Sequence, residues 1–279
     1  MSKACCTHRL GPALGRTNPQ TVDDRGRGGG RSRAGIVVVA VCLAGVVLAV
    51  TAPVAGAYAL APLIFTIAGD GTTCSTAPAC GDGGPAISGQ FNGPEGVTVD
   101  AAGNVYVADA ALDVYVDPII GDNEVRRVSP SGRITRIAGN GTTCANPPAC
   151  GDGRAATRAQ LSLPGGVAVD SAGNVYIADT GDNEVRRVSP SGRITRIAGN
   201  GTQCTHAPVC GDGGPAKRAQ LNSPDGVAVD SVGNVYVADT GDSEVRTVSP
   251  SGTISRIAGN GTQPRSCSKV GSDPRAVSG

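Results

Sequence analysis

The chain has 279 residues, 42 of them glycine and 19 proline, with 39% hydrophobic and 3% aromatic residues and a formal net charge of +1. That much apolar material can build a core, and so many turn formers favour short strands over long helices. Balanced charge and scarce aromatics exclude the basic, aromatic-interleaved surface that nucleic acid requires.

The first element is a leader. Arg25, Arg27, Arg31 and Arg33 precede an unbroken apolar stretch over residues 34–50, the order of a signal peptide. Pro53 ends the expected hydrophobic helix, and Ala55-Gly56-Ala57 offers a cleavage site. Residues 1–33 are thus expected to be a disordered basic region and 34–57 a signal peptide. An uncleaved anchor competes, since the run is near the short end of the ~20 residues that span a bilayer. In either case the basic side stays in the cytoplasm, the rest crosses, and the membrane is met only through this segment. The Arg-x-Arg spacing does not match a twin-arginine signal. Beyond residue 57 there are 17 basic and 21 acidic residues, a net charge of −4.

Residues 58–263 are repetitive. Gly166-Val-Ala-Val-Asp-Ser-Ala-Gly-Asn-Val-Tyr-Ile-Ala-Asp179 recurs 60 residues later, at 226–239, with two changes, and 70 residues earlier, at 96–109, in a more diverged copy. The extra ten residues are an insertion at 111–120, in which Asp113-Val-Tyr-Val echoes Asn104-Val-Tyr-Val. Within one copy, residues 166–170, 174–179, 184–189 and 193–199 are β-prone and separated by turn residues. Connectors as short as Ser171-Ala-Gly173 and Pro190-Ser-Gly192 permit only antiparallel hairpins, so each copy is a four-stranded meander. Four strands per repeat is the pattern of a propeller blade.

Between blades run connectors of about 26 residues, long enough to need a constraint of their own. Cys74/Cys80, Cys144/Cys150 and Cys204/Cys210 recur there at identical spacing and read, in an exported chain, as three local disulfides. Zinc is disfavoured, because beyond the leader the chain has a single histidine, His206. Cys267 has no repeat partner. By strand parity, the connectors, the insertion and the loop Thr180-Gly-Asp-Asn-Glu184 emerge at one end of the blades.

At these residues the chain resembles the NHL-repeat family, whose blades carry similar Pro-x-Gly-Val-Ala-Val-Asp, Gly-Asn-Val-Tyr-Val-Ala-Asp-Thr-Gly and Ile-x-x-Ile-Ala-Gly runs. The resemblance covers residues 64–262. The Cys-x5-Cys and Gly-Asp-Gly-Gly-Pro-Ala segments are similar to the connectors of secreted bacterial and teneurin-type members. Asp182-Asn-Glu184 departs from the more basic Asn-His-Arg common there, so ligand modes built on that basic loop are not implied.

Acidic residues also recur at that end: Asp82, Asp152 and Asp212 in the connectors, with Asp122, Asp182, Asp242, Glu124, Glu184 and Glu244 in the other loop. They form a candidate binding rim for a cationic partner or for calcium, the one cofactor entertained. Turn chemistry beside glycine is the preferred account of them, because no loop has the dense oxygen spacing of an EF-hand. Asp170 with Asn174, and their equivalents, flank a tight turn; Tyr106, Tyr176 and Tyr236 are expected to pack between blades. No catalytic, metal or cofactor-binding set stands out, and His206 reads as an incidental surface residue.

The expected fold is all-β: a partial or open β-propeller of three complete four-stranded blades after an N-terminal hydrophobic helix, with a disordered tail at 264–279. The expected function is extracytoplasmic binding of a protein or other large ligand, which is what the resemblance implies. A propeller hydrolase or lyase with a metal at the central channel, and a purely structural spacer, are the alternatives. Closure usually takes about four to eight blades. Residues 63–69 resemble the last strand of a missing earlier blade, so the chain is either a truncated remnant, the preferred reading, or half of a homodimeric six-bladed ring.

Overall fold

The computed structural model describes residues 64–74, 80–110, 122–147, 150–205 and 210–261, and the backbone of 35–43 and 46–54. The expectations on the cleavage site, the insertion, His206, Cys267 and the tail fall outside these residues. The chain separates into two compact units, 1–63 and 64–279.

In the first unit, β1 (Gly35–Leu43) pairs antiparallel with β2 (Val46–Val54) in continuous register. Over the described residues, the hydrophobic helix expected from the apolar run 34–50 is corrected to this hairpin. Five of nine residues in each strand are β-branched. Such side chains lose rotamer freedom in a helix and pack well on a pleated surface. Among the described residues no helix is long and apolar enough to cross a membrane.

The second unit contains three four-stranded antiparallel sheets, each a meander in chain order. Blade 1 is β3 (Gly93–Val99), β4 (Val105–Ala110), β5 (Glu124–Val128) and β6 (Ile134–Ala138). Blade 2 is β7 (Pro164–Val169), β8 (Val175–Asp179), β9 (Glu184–Val188) and β10 (Ile194–Ala198). Blade 3 is β11 (Pro224–Val229), β12 (Val235–Asp239), β13 (Glu244–Val248) and β14 (Ile254–Gly259).

Each first hairpin is fastened by one aspartate. Asp170 Oδ1 accepts from the backbone of Ala172 (3.0 Å) and Asn174 (2.8 Å), while Oδ2 accepts from Asn174 Nδ2 (2.8 Å) and the Tyr176 hydroxyl (3.1 Å). Asp100 and Asp230 repeat the arrangement. These turn bonds align the second strand with the first.

Burial occurs where blades stack, with β7 lying between β3 and β11. Tyr106, Ala108, Val125 and Ala138 of blade 1 pack on Leu161, Val167, Val175, Ile177 and Ile194 of blade 2. Ala168, Tyr176, Val185 and Ala198 of blade 2 pack on Leu221, Val235, Val237, Val248 and Ile254 of blade 3 in the same way. One face of each blade is thus built to receive the opposite face of the next.

Connectors stitch these joints. Gly139 N donates to Ala156 O (3.1 Å) and Gly199 N to Ala216 O (3.0 Å), just past the outer strands. Both glycines have positive φ (84° and 81°), and a Cβ there would run into the carbonyls of Asn123 and Asn183. Gln160 Nε2 then reaches Thr142 Oγ1 and Gln220 Nε2 reaches Thr202 Oγ1, each at 3.1 Å. Residues 64–72 make the same two bonds ahead of blade 1: Gly69 N to Ala86 O (2.9 Å) and Gln90 Nε2 to Thr72 Oγ1 (2.7 Å). The run therefore holds the place of a preceding blade's outer strand, as its sequence suggests.

Each connector next covers the outer edge of the blade that follows it. Gly153 N donates to Ile194 O (2.8 Å) and Ile194 N to Arg154 O (3.0 Å), with equivalents at Gly83/Ile134 and Gly213/Ile254. An outer strand that would present unpaired amides is thereby closed to edge-to-edge pairing.

Candidate functional site

The connectors and the loops between the second and third strands carry nearly all the ionisable groups singled out in the sequence. The loop leaves the second strand at Asp179, makes a short 3-10 turn at Thr180–Asp182, and enters β9 through Asn183 in left-handed conformation (φ 54°). Blade 3 repeats this at Thr240–Asp242 and Ser243. The tight turn folds the loop's carboxylates inward.

At the centre of every blade lies an arginine from the third strand: Arg126, Arg186 and Arg246, all fully buried. Arg186 donates from Nε (3.1 Å) and Nη2 (2.8 Å) to Asp152 Oδ1, from Nη1 to Asp179 Oδ2 (3.1 Å), and from Nη2 to the carbonyl of Cys150 (3.3 Å). Arg246 makes the equivalent bonds to Asp212, Asp239 and Cys210 O. Arg126 reaches Asp82 and Cys80 O, lies 3.6 Å from Asp109, and stacks 4.9 Å from the Phe91 ring centre. Each guanidinium therefore fixes a connector to its own blade, using the forked geometry that suits an arginine to several oxygens at once.

The remaining carboxylates surround this clamp. Glu124, Glu184 and Glu244 are buried and pair with Arg136 (3.0 Å), Arg196 (3.4 Å) and Arg256 (2.9 Å). Asp122, Asp182 and Asp242 are buried too, each with Oδ2 lacking a hydrogen-bond partner among the described residues. Burial, reinforced by repulsion from Asp109, pushes Asp122 up to about 8; burial with repulsion from Asp179 and Glu184 does the same to Asp182. Burial also raises Glu124 and Glu184 to about 7, against the pull of the arginines. Asp179 and Asp239 rise to about 6 for the same first reason.

Of the nine acidic residues expected along the rim, six are therefore interior, and only Asp82, Asp152 and Asp212 keep partial contact with solvent, each tied to its arginine. The structure does bring connector and loop together, as strand parity requires. Ligand atoms of Cys74, Cys80 and Asp122 lie within 4.8 Å of one another, as do those of Cys144, Cys150 and Asp182, and of Cys204, Cys210 and Asp242. The cysteines are disulfide-bonded pairwise, with Cα separations of 5.5, 5.6 and 5.8 Å. Sulfurs so engaged are not thiolate ligands, and the single aspartate beside them falls well short of the six to eight oxygens calcium takes. Tyr106 and Tyr176 are buried in the interblade clusters, as expected.

Sequence reasoning missed the arginines and their partners Asp109, Asp179 and Asp239. The available signal was recurrence: Glu-Val-Arg at 124–126, 184–186 and 244–246, opposite an aspartate ending the second strand in every copy.

Replacing Cys144 and Cys150 with serine releases a seven-residue loop already held by Arg186. The expected cost is about 2 kcal/mol, read as a lower midpoint in chemical denaturation without loss of cooperativity. Peptide mapping without reduction should recover 74 with 80, 144 with 150 and 204 with 210.

A family model described as the Teneurin NHL domain matches residues 123–199 and 189–272. Teneurin-1 of Mus musculus is 28% identical over 229 residues, covering 61% of this chain and 8% of that protein. Teneurin-1 of Gallus gallus is 31% identical over 212 residues, covering 72% of this chain and 7% of that protein. The chain thus spans less than a tenth of the length of these relatives. Among solved structures, a gluconolactonase from Xanthomonas campestris superposes with a TM-score of 0.38 at 18% identity, over 61% of this chain and 48% of that one. So loose a likeness carries nothing about activity.

Proposed function

Since the chain belongs to the NHL-repeat family, as a member of its Teneurin NHL domain branch, we propose that it is an extracytoplasmic binding module whose connector loops take a protein or other large ligand. The observation that carries this reading is the double fixation of every connector, by a disulfide and by a buried arginine clamp, at the loops where the three blades are most elaborated. Loops held rigid before binding lose less entropy on contact, and rigid scaffolds bearing fixed loops are a common platform for recognition. The disulfides also call for an oxidising compartment, where such a ligand would be met. Charge is not the basis of recognition in this reading, because the loop carboxylates turn inward. The exposed connector threonines Thr72, Thr142 and Thr202, each held by a half-buried glutamine, Gln90, Gln160 or Gln220, supply polar contacts instead.

The test compares binding of a labelled extracellular protein fraction by the unmodified chain and two sets of variants. Removing the disulfides pairwise is expected to weaken binding at least tenfold. Ser131→Arg, Ser191→Arg and Ser251→Arg, in the tight turns between third and fourth strands, are expected to leave it unchanged. The opposite pattern would move the binding surface away from the connectors and overturn the reading.

A further inference from the structure

The two joints inside the chain define what a third joint needs, and both halves of it are present and uncovered among the described residues. On the joint-forming face of blades 1 and 2, Val125 and Val185 are 0% exposed, as are Ala138 and Ala198. The equivalent face of blade 3 leaves Val245 37% and Ile257 53% exposed, with Ala258 also open. The receiving face shows the mirror situation. Val167 is 6% exposed against blade 1, whereas its equivalent Val97, with no blade stacked upon it among the described residues, is 68% exposed and Val99 beside it 61%. Contiguous apolar faces of this kind are rarely left to water in a stable protein.

We propose that this face of blade 3 docks on blade 1 of a second copy of the chain, head to tail, so that two chains close one six-bladed ring. The occupant follows from continuity: the joint between blades 1 and 2 is repeated between blades 2 and 3, and a second copy supplies the next blade in register. A heterologous contact of this sort generates a ring when its rotation closes, and six blades lie within the usual range for propellers.

Residues 64–72 sit in the slot the incoming strand needs. They read Ile-Phe-Thr-Ile-Ala-Gly-Asp-Gly-Thr, against Ile-Ser-Arg-Ile-Ala-Gly-Asn-Gly-Thr at 254–262, and Gly69 already occupies the Ala86 carbonyl that Gly259 of the second copy would use. Among the described residues no sheet backs this run, and its Ile64, Phe65 and Ile67 are 98%, 74% and 57% exposed. Exchange for β14, which is backed by a complete sheet, buries Val245, Ile257, Val97 and Val99 together. This inference is independent of the ligand-binding reading, since it concerns the stacking faces and not the connector loops.

The test is the mass in solution of the full chain by light scattering, with circular dichroism to confirm that variants keep their strands. The unmodified chain is expected at twice the chain mass. Val97→Arg and Ile257→Arg, both at exposed positions, are each expected to halve it, and Val99→Arg repeats the first independently. An equimolar mixture of Val97→Arg and Ile257→Arg is expected to regain the two-chain mass, because one intact joint forms between them. A single-chain mass for the unmodified protein, an open filament, a two-chain particle indifferent to Val97→Arg, or a mixture that stays at one chain would each overturn the proposal.

Discussion

Arg186→Ala is expected to destabilise the protein by about 3–5 kcal/mol, the largest effect of any single substitution in blade 2. The guanidinium is fully buried and answers Asp152, Asp179 and the Cys150 carbonyl together. Without it Asp179 is a carboxylate with no exposure and no counter-ion, and breaking a buried pair from one side costs several times what a surface pair contributes. Arg193→Ala, at an exposed turn position in the same blade, is expected to change stability by less than about 0.5 kcal/mol. Denaturant midpoints on the two variants decide the matter. Similar small losses for both would mean that the connector is held by the disulfide and backbone alone.

Stability is expected to peak in mildly acidic solution and decline as pH rises from 5 to 9. Asp122 and Asp182 titrate near 8 in the folded protein, and Glu124 and Glu184 near 7, all above their unfolded values of about 4. A carboxyl raised by folding is more protonated in the native state. Its favourable contribution is complete below the unfolded value and is lost as pH climbs through the folded one. On the acid side, Asp170 is held below its ordinary value although burial opposes this, by bonds from Asn174 and Tyr176, and Asp230 is held down by Asn234. Their contribution is present above about pH 4 and disappears below it, which sets the lower edge of the optimum. Asp122→Asn and Asp182→Asn should flatten the alkaline limb and leave stability at pH 5 nearly unchanged. A melting temperature that rises steadily from pH 5 to pH 9 would contradict the buried placement of these acids.

The blades were legible because every copy repeats its own punctuation. The run expected at 174–179 is β8 at Val175–Asp179, and the run at 184–189 is β9 at Glu184–Val188; the turn residues between them fix both ends. The interior of the connectors was not legible. Asp182 and Glu184 look solvent-facing in a loop rich in glycine and asparagine, and only the 3-10 turn with left-handed Asn183 directs them inward. Arg186 was hidden for a related reason, since a charged residue in a five-residue strand normally marks the wet face. Here the connector, distant in sequence, folds over and makes that face interior. In the leader, an apolar run has no periodicity to separate strand from helix, and β-branched content decided for the hairpin.

The clamp also defines where one module of the chain stops and another begins. Among the described residues Arg186 takes its partners from 150–184 and Arg246 from 210–239, so each network is written within a single stretch that opens with the connector. The natural seam therefore falls at Gly139 and Gly199, after an outer strand, rather than at a hairpin. A chain cut into units at those seams keeps each arginine with its own acids and its own disulfide. During synthesis a blade can complete its polar interior as soon as its own segment has emerged, waiting on its neighbours only for the apolar stacking that follows.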